Sequence, residues 1–308
     1  MSSAFRITNR SISQSAMAGL QANLGRMQKL NEQLSSGRQV NRPSDSPVAT
    51  SSAMQFRSQL RQTEQYARNA QDGISWLGAI DDTLTTMLGS GGRVRQLILT
   101  GLNATSGPAE REALAAEVDT LRSSLLDTAN STYLNRPLFA GTADVGAAYD
   151  RVTGSFLGNT GDEASAGAVG KVERSVAPGV TLRVNLTGPE IFGDQGAGDD
   201  LFAVLERVST NLRAGDTAAL SEDLASLDGR MEVVLNQLAK VGARYHQVET
   251  MRNRAENNLI TLTSGLSEVE DIDMPKTIVD LQLQEVAYKA ALSATAKVIQ
   301  PSLLDFLR

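Results

Sequence analysis

The side chains of this chain that could do chemistry are few and poorly placed for it. There is a single histidine, His246, and no cysteine. Without cysteine there is no disulfide framework, zinc–thiolate site or thiol nucleophile. His246 has no second histidine to complete an H-E-x-x-H metal site, and no glycine-flanked serine elbow accompanies it, so it reads as a structural residue. Gly167-Ala168-Val169-Gly170-Lys171 is a partial phosphate loop. Ser165 stands where the first glycine of that pattern belongs, and Val172 replaces the Ser or Thr after the lysine; the stretch reads as a flexible loop. Glu268, Glu270, Asp271 and Asp273 are spaced to hold a cation, but acidic residues in a helix's first turn are already favoured by its dipole. The chain is therefore read as no enzyme, with no catalytic residue, metal or cofactor.

What the sequence offers instead is long apolar seams. Read as a helix, residues 220–262 place Leu220, Leu224, Leu227, Met231, Val234, Leu238, Val241, Tyr245, Val248, Arg252, Ala255, Leu259 and Leu262 on one line, spaced 4 and 3 in strict alternation. That is a heptad repeat, and Arg252 alone breaks its polarity. At 1.5 Å per residue the helix is roughly 65 Å long and needs an equally long partner. A second seam supplies one: Ala53, Phe56, Leu60, Thr63, Ala67, Ala70, Ile74, Leu77, Asp81, Leu84 and Leu88. The fold class expected is mainly α: a long coiled-coil-like helical rod formed by the N- and C-terminal halves, with a small inserted β-rich domain. Aromatic residues make up 4% of the 308, which suits narrow seams better than a broad globular core.

The formal charge of −6 gives no general basic face for nucleic acid. No apolar run approaches the roughly 18 residues of a membrane span, and residues 1–14 lack the apolar stretch of a Sec-type signal.

Along the chain, helical spacing begins near Ala16 and runs through Leu20, Asn23, Met27, Leu30 and Leu34 to a glycine cap at Gly37. Asn41-Arg42-Pro43 must be extended. Ser46 followed by Pro47 restarts a helix, so a stiff elbow joins two helices. The second helix is expected to break at Ser90-Gly91-Gly92, with a shorter helix following to Asn103. Helix resumes over 109–130. From Arg136 the glycine content rises and β-like runs appear at 136–140, 147–152, 169–174 and 180–186, the last alternating over its whole length. Helix returns at Asp200, breaks at Gly215, and the long helix runs to Ser264-Gly265. Ser267-Glu268-Val269-Glu270 fits a capping box that opens a last helix to Phe306. The domains drawn are 1–42 plus 268–308 as terminal assembly segments, disordered before assembly, 43–135 plus 199–267 as the rod, and 136–198 as the β-rich insert.

The last helix is apolar on more than one side. One stripe is Ile278, Leu281, Tyr288, Leu292 and Ile299; another is Val279, Leu283, Val286 and Ala290. A helix apolar on several sides is buried on several sides, and neighbouring subunits are the expected cover. Leu20, Met27, Leu30, Leu34, Leu281, Tyr288, Leu292, Ile299, Leu303 and Phe306 are read as an assembly interface. Residues 1–42 carry six Arg or Lys against one Glu, whereas 268–308 carry seven acidic residues against four basic, a bias toward pairing the two ends.

The elbow Leu34-Ser35-Ser36-Gly37-Arg38-Gln39-Val40-Asn41-Arg42-Pro43-Ser44-Asp45-Ser46-Pro47 resembles the signature of the flagellin superfamily. Leu34, Ser35, Ser36, Gly37, Asn41, Pro43, Asp45 and Pro47 carry the likeness. Ser267 to Asp273, Tyr288-Lys289-Ala290-Ala291-Leu292 and Ser302-Leu303-Leu304-Asp305-Phe306-Leu307 are similar to the family's other end. The two prolines of the elbow, Arg136-Pro137-Leu138-Phe139-Ala140-Gly141-Thr142 and the closing Leu304-Asp305-Phe306-Leu307 point, within the superfamily, to its hook-associated family type 3. Ser46 departs from a second aspartate usual there. The resemblance implies a structural adaptor of the bacterial flagellar hook–filament junction that is secreted by flagellar type III export. The implied partners are a preceding hook-associated junction protein, flagellin, an export chaperone on the C-terminal segment, and further copies of itself. A flagellin filament subunit is the alternative within the class. A surface adhesion or binding module using the β domain is the alternative from another class.

Overall fold

The computed structural model describes residues 9–103, 107–158, 170–193 and 200–299, with the side chains of 9–13 and 297–299 excepted. Among these residues the helices are α1 (Asn9–Ser36), α2 (Pro47–Gly101), α3 (Pro108–Ala129), α4 (Gly188–Phe192), α5 (Leu201–Ala214), α6 (Thr217–Glu270) and α7 (Met274–Ile299). Two antiparallel two-stranded sheets pair β1 (Thr132–Tyr133) with β2 (Arg136–Pro137) and β3 (Glu173–Ala177) with β4 (Val180–Arg183). The fold is mainly α with a small β region, as the periodicities predict. The chain forms two compact units, Thr63–Asn258, and Met1–Gln62 together with Leu259–Arg308.

The seam of α6 is as regular in burial as in sequence. Leu220, Leu227, Val234, Val241, Val248 and Ala255, one per heptad, are buried, and Leu224, Met231, Leu238, Tyr245 and Arg252 between them are half-buried. Within the unit Thr63–Asn258 these residues, Arg252 and Ala255 excepted, join Leu77, Ile80 and Leu84 of α2, Leu125 and Leu126 of α3 and Val204, Leu205 and Val208 of α5 in one apolar core.

The expected break at Ser90-Gly91-Gly92 does not occur; α2 runs through it. Gly91 sits against Met231 so closely that a Cβ there would overlap the Met231 sulfur. The glycine marks a close helix approach, which lowers helix propensity by about 1 kcal/mol without ending the helix. α1 also begins earlier than Ala16, at Asn9. α6 continues past Gly265 to Glu270, and the capping box proposed at Ser267 is not used: Asp273 caps α7, accepting from the Lys276 N–H at 3.1 Å. Glu268 and Glu270 therefore lie in the last turn of α6, where the dipole disfavours them, rather than in the first turn of the next helix. Residues 300–308, to which the last helix was expected to run, lie outside the described residues, as does most of the partial phosphate loop.

The insert forms fewer strands than expected. Of the run 147–152, only Tyr149 pairs, in an isolated bridge with Phe156. β4 stops at Arg183 because Val184, Asn185 and Leu186 are all buried in succession. Asn185 there donates to Gly170 O at 2.6 Å and accepts from the Val172 N–H at 2.8 Å. Leu134 and Asn135 take positive φ values of 50° and 61° between β1 and β2, the geometry of a tight hairpin turn. The insert also shares its core with the helices. Tyr149 packs at 5.2 Å, centroid to centroid, on both Phe192 and Phe202, the latter on α5.

Side-chain bonds fasten the insert to the long helices. Arg174 Nε meets Asp72 at 2.7 Å on α2, and Gln237 of α6 donates to Glu190 O at 3.1 Å. Arg183 grips Glu190 through two bonds of 2.8 and 2.6 Å, and the Thr187 N–H donates to the same carboxylate at 2.9 Å. Burial pushes the Glu190 carboxyl up, but Arg183 and the Thr187 N–H outweigh it and hold the group below its ordinary value.

Leu227→Ala should cost about 2–5 kcal/mol in a denaturant melt, whereas Leu235→Ala, on the open side of α6, should change stability by less than about 0.5 kcal/mol; equal effects would contradict the seam. A carboxyl whose folded pKa is depressed contributes stability above its ordinary titration range, and loses it as pH falls through the folded value. Followed by the fluorescence of Trp76, the only tryptophan, Glu190→Gln should lose less stability than the parent chain between neutral pH and acid.

Candidate assembly surface

The terminal helices form their own pair in the unit Met1–Gln62 with Leu259–Arg308. On α1 the line Ala16, Leu20, Asn23, Met27, Leu30 and Leu34 is half-buried, spaced 4 and 3. On α7, Thr277 is buried, and Leu281, Gln284, Tyr288, Ala291 and Thr295 are half-buried at the same spacing. Gln284 Nε2 donates to the Asn23 side-chain oxygen at 3.1 Å, and the backbones of Arg38 and Asp271 form an isolated antiparallel bridge, so the two helices run antiparallel. One line on each helix is thus consumed, and only partly covered.

Among the described residues, a second apolar line of α7 stays exposed. Val279 is 53% exposed, Leu283 63% and Val286 65%, and Ala290 continues the line in the exposed class. Ile278, Leu292 and Met274 are exposed on flanking positions, as are Met17 and Leu24 on α1. Of the residues predicted for assembly, Leu20, Met27, Leu30, Leu34, Leu281 and Tyr288 belong to the α1–α7 seam, and Leu292 is open. The Ile299 side chain, Leu303 and Phe306 lie outside the described residues. Leu283 and Val286, the most exposed, were visible as the second stripe; of the first stripe only Leu281 and Tyr288 enter the seam, with Thr277 and Gln284 beside them, which apolarity alone did not tell. Beside the seam, Leu30 and Leu283 floor a groove of about 360 Å³ rimmed by Arg26, Lys29 and Asp280. Burying a side chain of Val or Leu size is worth about 1.5–3 kcal/mol, so the bare stripe is a substantial drive to associate.

The elbow holds this pair at one end. Gly37 takes φ 70° after α1, a left-handed cap that only glycine adopts without strain. Ser36 Oγ donates to Gln33 O and accepts from the Arg38 N–H at 3.2 Å, while Ser35 is exposed. The Gln39 N–H donates to Glu270 O at 2.6 Å and the Ile272 N–H to Gly37 O at 3.2 Å, stitching the elbow to the break between α6 and α7. Asn41 Nδ2 reaches Arg38 O at 3.5 Å. Asp45 accepts from the Arg42 N–H at 3.0 Å and pairs with Lys29 at 3.0 Å; Lys29 first, then the Arg42 N–H, holds its carboxyl below the usual carboxylate range. Ser46 Oγ accepts from the Ala49 N–H at 3.3 Å, and Pro47 opens α2, as the sequence predicts.

The elbow also depends on residues that its own sequence does not announce. Glu270 is 6% exposed and is met by Arg57 at 2.6 Å and Arg38 at 3.9 Å. These arginines offset the charge that Glu270 places at the unfavourable end of the α6 dipole. Among the described residues no group of His, Cys, Asp and Glu is placed to hold a metal ion, and no helix is long and apolar enough to cross a membrane. Glu270→Ala should leave Arg57 without its partner and speed hydrogen exchange at the Gln39 and Ile272 amides at least about tenfold, for a loss on the order of 1–3 kcal/mol; unchanged exchange would remove Glu270 from the account.

Residues 7–144, spanning α1, the elbow and α2, match the bacterial flagellin N-terminal helical region. Flagellar hook-associated protein 3 of Escherichia coli strain K12 is 26% identical over 314 aligned positions, covering 94% of this chain and 95% of that protein. Flagellin of Bacillus subtilis strain 168 is 25% identical, covering 98% of this chain and 100% of that one. In fold, the crystal structure of the flagellar junction protein FlgL from Legionella pneumophila superposes with a TM-score of 0.55 at 16% identity, over 71% of this chain and 99% of that one. Over nearly its whole length the chain is therefore similar to hook-associated protein 3 and to flagellin, and its N-terminal part matches the flagellin helical region.

Proposed function

We propose that this chain is a structural adaptor at the bacterial flagellar hook–filament junction. The observation that carries the reading is the bare apolar line Val279, Leu283 and Val286 on α7, beside a seam with α1 that is itself only half covered. A helix pair so exposed gains stability by packing against further copies or like helices. Before assembly the pair is held mainly by one face and the elbow; ordering is completed when neighbours cover the rest. Head-to-tail association of this kind is heterologous, and unlike ends suit an adaptor: a preceding hook-associated protein on one side, flagellin on the other. Export through the flagellar type III apparatus, with a chaperone on the C-terminal segment, belongs to this reading; the exposed apolar surface, which would aggregate if left open, supports a shielding partner. The role is structural, not catalytic.

The match to a flagellin over the whole chain supports a second reading, as a filament subunit, and the two differ in what a deletion does. Cells lacking the gene should keep hooks, lack filaments and shed a different flagellin into the medium. If no other flagellin is shed, the chain is the filament subunit; if filaments persist, neither flagellar reading stands. In the same strain, a Leu283→Asp/Val286→Asp chain should be exported with unchanged melting yet fail to restore filaments. Restored filaments would show that the bare line is not an assembly surface.

A further inference from the structure

The elbow carries a second open surface. It is a groove of about 190 Å³ bounded by Arg38, Arg42 and Arg57, with Val40, Pro43 and Met54 among its apolar lining. Three guanidiniums face a single lining carboxylate, Glu270, which is already engaged by Arg57 and Arg38. Arg42 turns one side to Glu32 at 3.2 Å, and its side chain is 69% exposed, leaving donors free for a second acceptor. Met54 is 61% exposed at the same place. The surface is cationic with an apolar floor, which suits a short segment carrying one carboxylate between large apolar residues.

The chain contains such a segment in Leu303-Leu304-Asp305-Phe306-Leu307. It cannot reach its own elbow. α7 leaves the elbow at Met274 and runs to Ile299, about 39 Å at 1.5 Å per residue, while the six residues from Ile299 to Asp305 span at most about 22 Å fully extended. Resting on the reading that the chain self-associates, we propose that the elbow groove receives residues 303–307 of a second copy. Asp305 pairs with Arg42 and Arg38, and Leu304 and Phe306 lie on Val40, Pro43 and Met54. A bidentate guanidinium–carboxylate pair fixes orientation as well as position, so this contact would set the register between successive copies, which an apolar stripe alone leaves free to slide.

The test is a fluorescently labelled peptide of residues 300–308 titrated into the full chain and followed by anisotropy. Saturable binding is expected, weakened at least about tenfold by Asp305→Asn in the peptide and by Arg42→Glu in the protein. Binding to Arg42→Glu should be recovered by a peptide carrying Asp305→Lys. Circular dichroism of Arg42→Glu checks that its helices are intact; should it misfold, Arg42→Gln with the same pair of peptides decides the matter. Absence of saturable binding, or binding indifferent to Asp305, overturns the proposal. A failure here with the expected deletion phenotype removes the groove contact alone; a failure of the deletion phenotype removes the junction reading on which it rests.

Discussion

A heptad seam is too narrow to make a globule, and the rest of the structure follows from that constraint. Along α6 one residue in seven is fully buried and the intervening seam residues are half-buried, so the helix is stabilised along a line rather than over a face. A helix of 54 residues held this way requires something lying along it for its whole length. In the unit Thr63–Asn258 the chain supplies this amply: α2, α3, α5 and the insert close around the seam, and the aromatic cluster of Phe139, Tyr149, Phe192 and Phe202 adds a compact core. At the terminal pair the supply runs out. α1 offers one line, α7 has two, and the second stays in water.

That contrast gives the two units different physical characters. The first is a finished structure, with an ion pair and hydrogen bonds that tie the insert to the long helices. The second is closed at the elbow and open along the helices. At the elbow, backbone bonds from Gln39 and Ile272 and the Glu270–Arg57 pair lock the two chain breaks together, so α1 and α7 leave as a pair. What remains exposed is the line Val279, Leu283 and Val286, on a helix pair that the elbow holds at one end.

Much of this is legible in the sequence where the determinants are local. The 4-and-3 spacing gave both long seams, Gly37 and Ser46-Pro47 gave the elbow, and Gly215 gave the end of α5, each because one residue's own conformational preference decides the matter. The misreadings share one cause, a distant partner. Gly91 looked like a break because nothing nearby in the chain shows that Met231 fills the space beside it. The box at Ser267 looked sound until Glu270 proved to be held by Arg57, 213 residues away. The alternating run to Leu186 ended early because Asn185 is drawn inward by Gly170 and Val172. In the candidate site, both stripes of α7 were visible, but α1 takes only Leu281 and Tyr288 of the first, joined by the polar Thr277 and Gln284, and leaves Ile278 and Leu292 exposed; the Gln284–Asn23 bond that sets this line is between residues 261 apart.

The central claim is that the α7 stripe is bare in the free chain and covered in the flagellum. The chain has no cysteine, so Val286→Cys introduces a single thiol at the most exposed point of the stripe. Its rate of reaction with a water-soluble maleimide, measured in the free protein and in purified flagella, reads that coverage directly. The account predicts rapid labelling of the free chain and at least about tenfold protection once assembled. Equal rates in the two states would mean that the stripe faces water in the organelle, and that assembly is driven from some other surface.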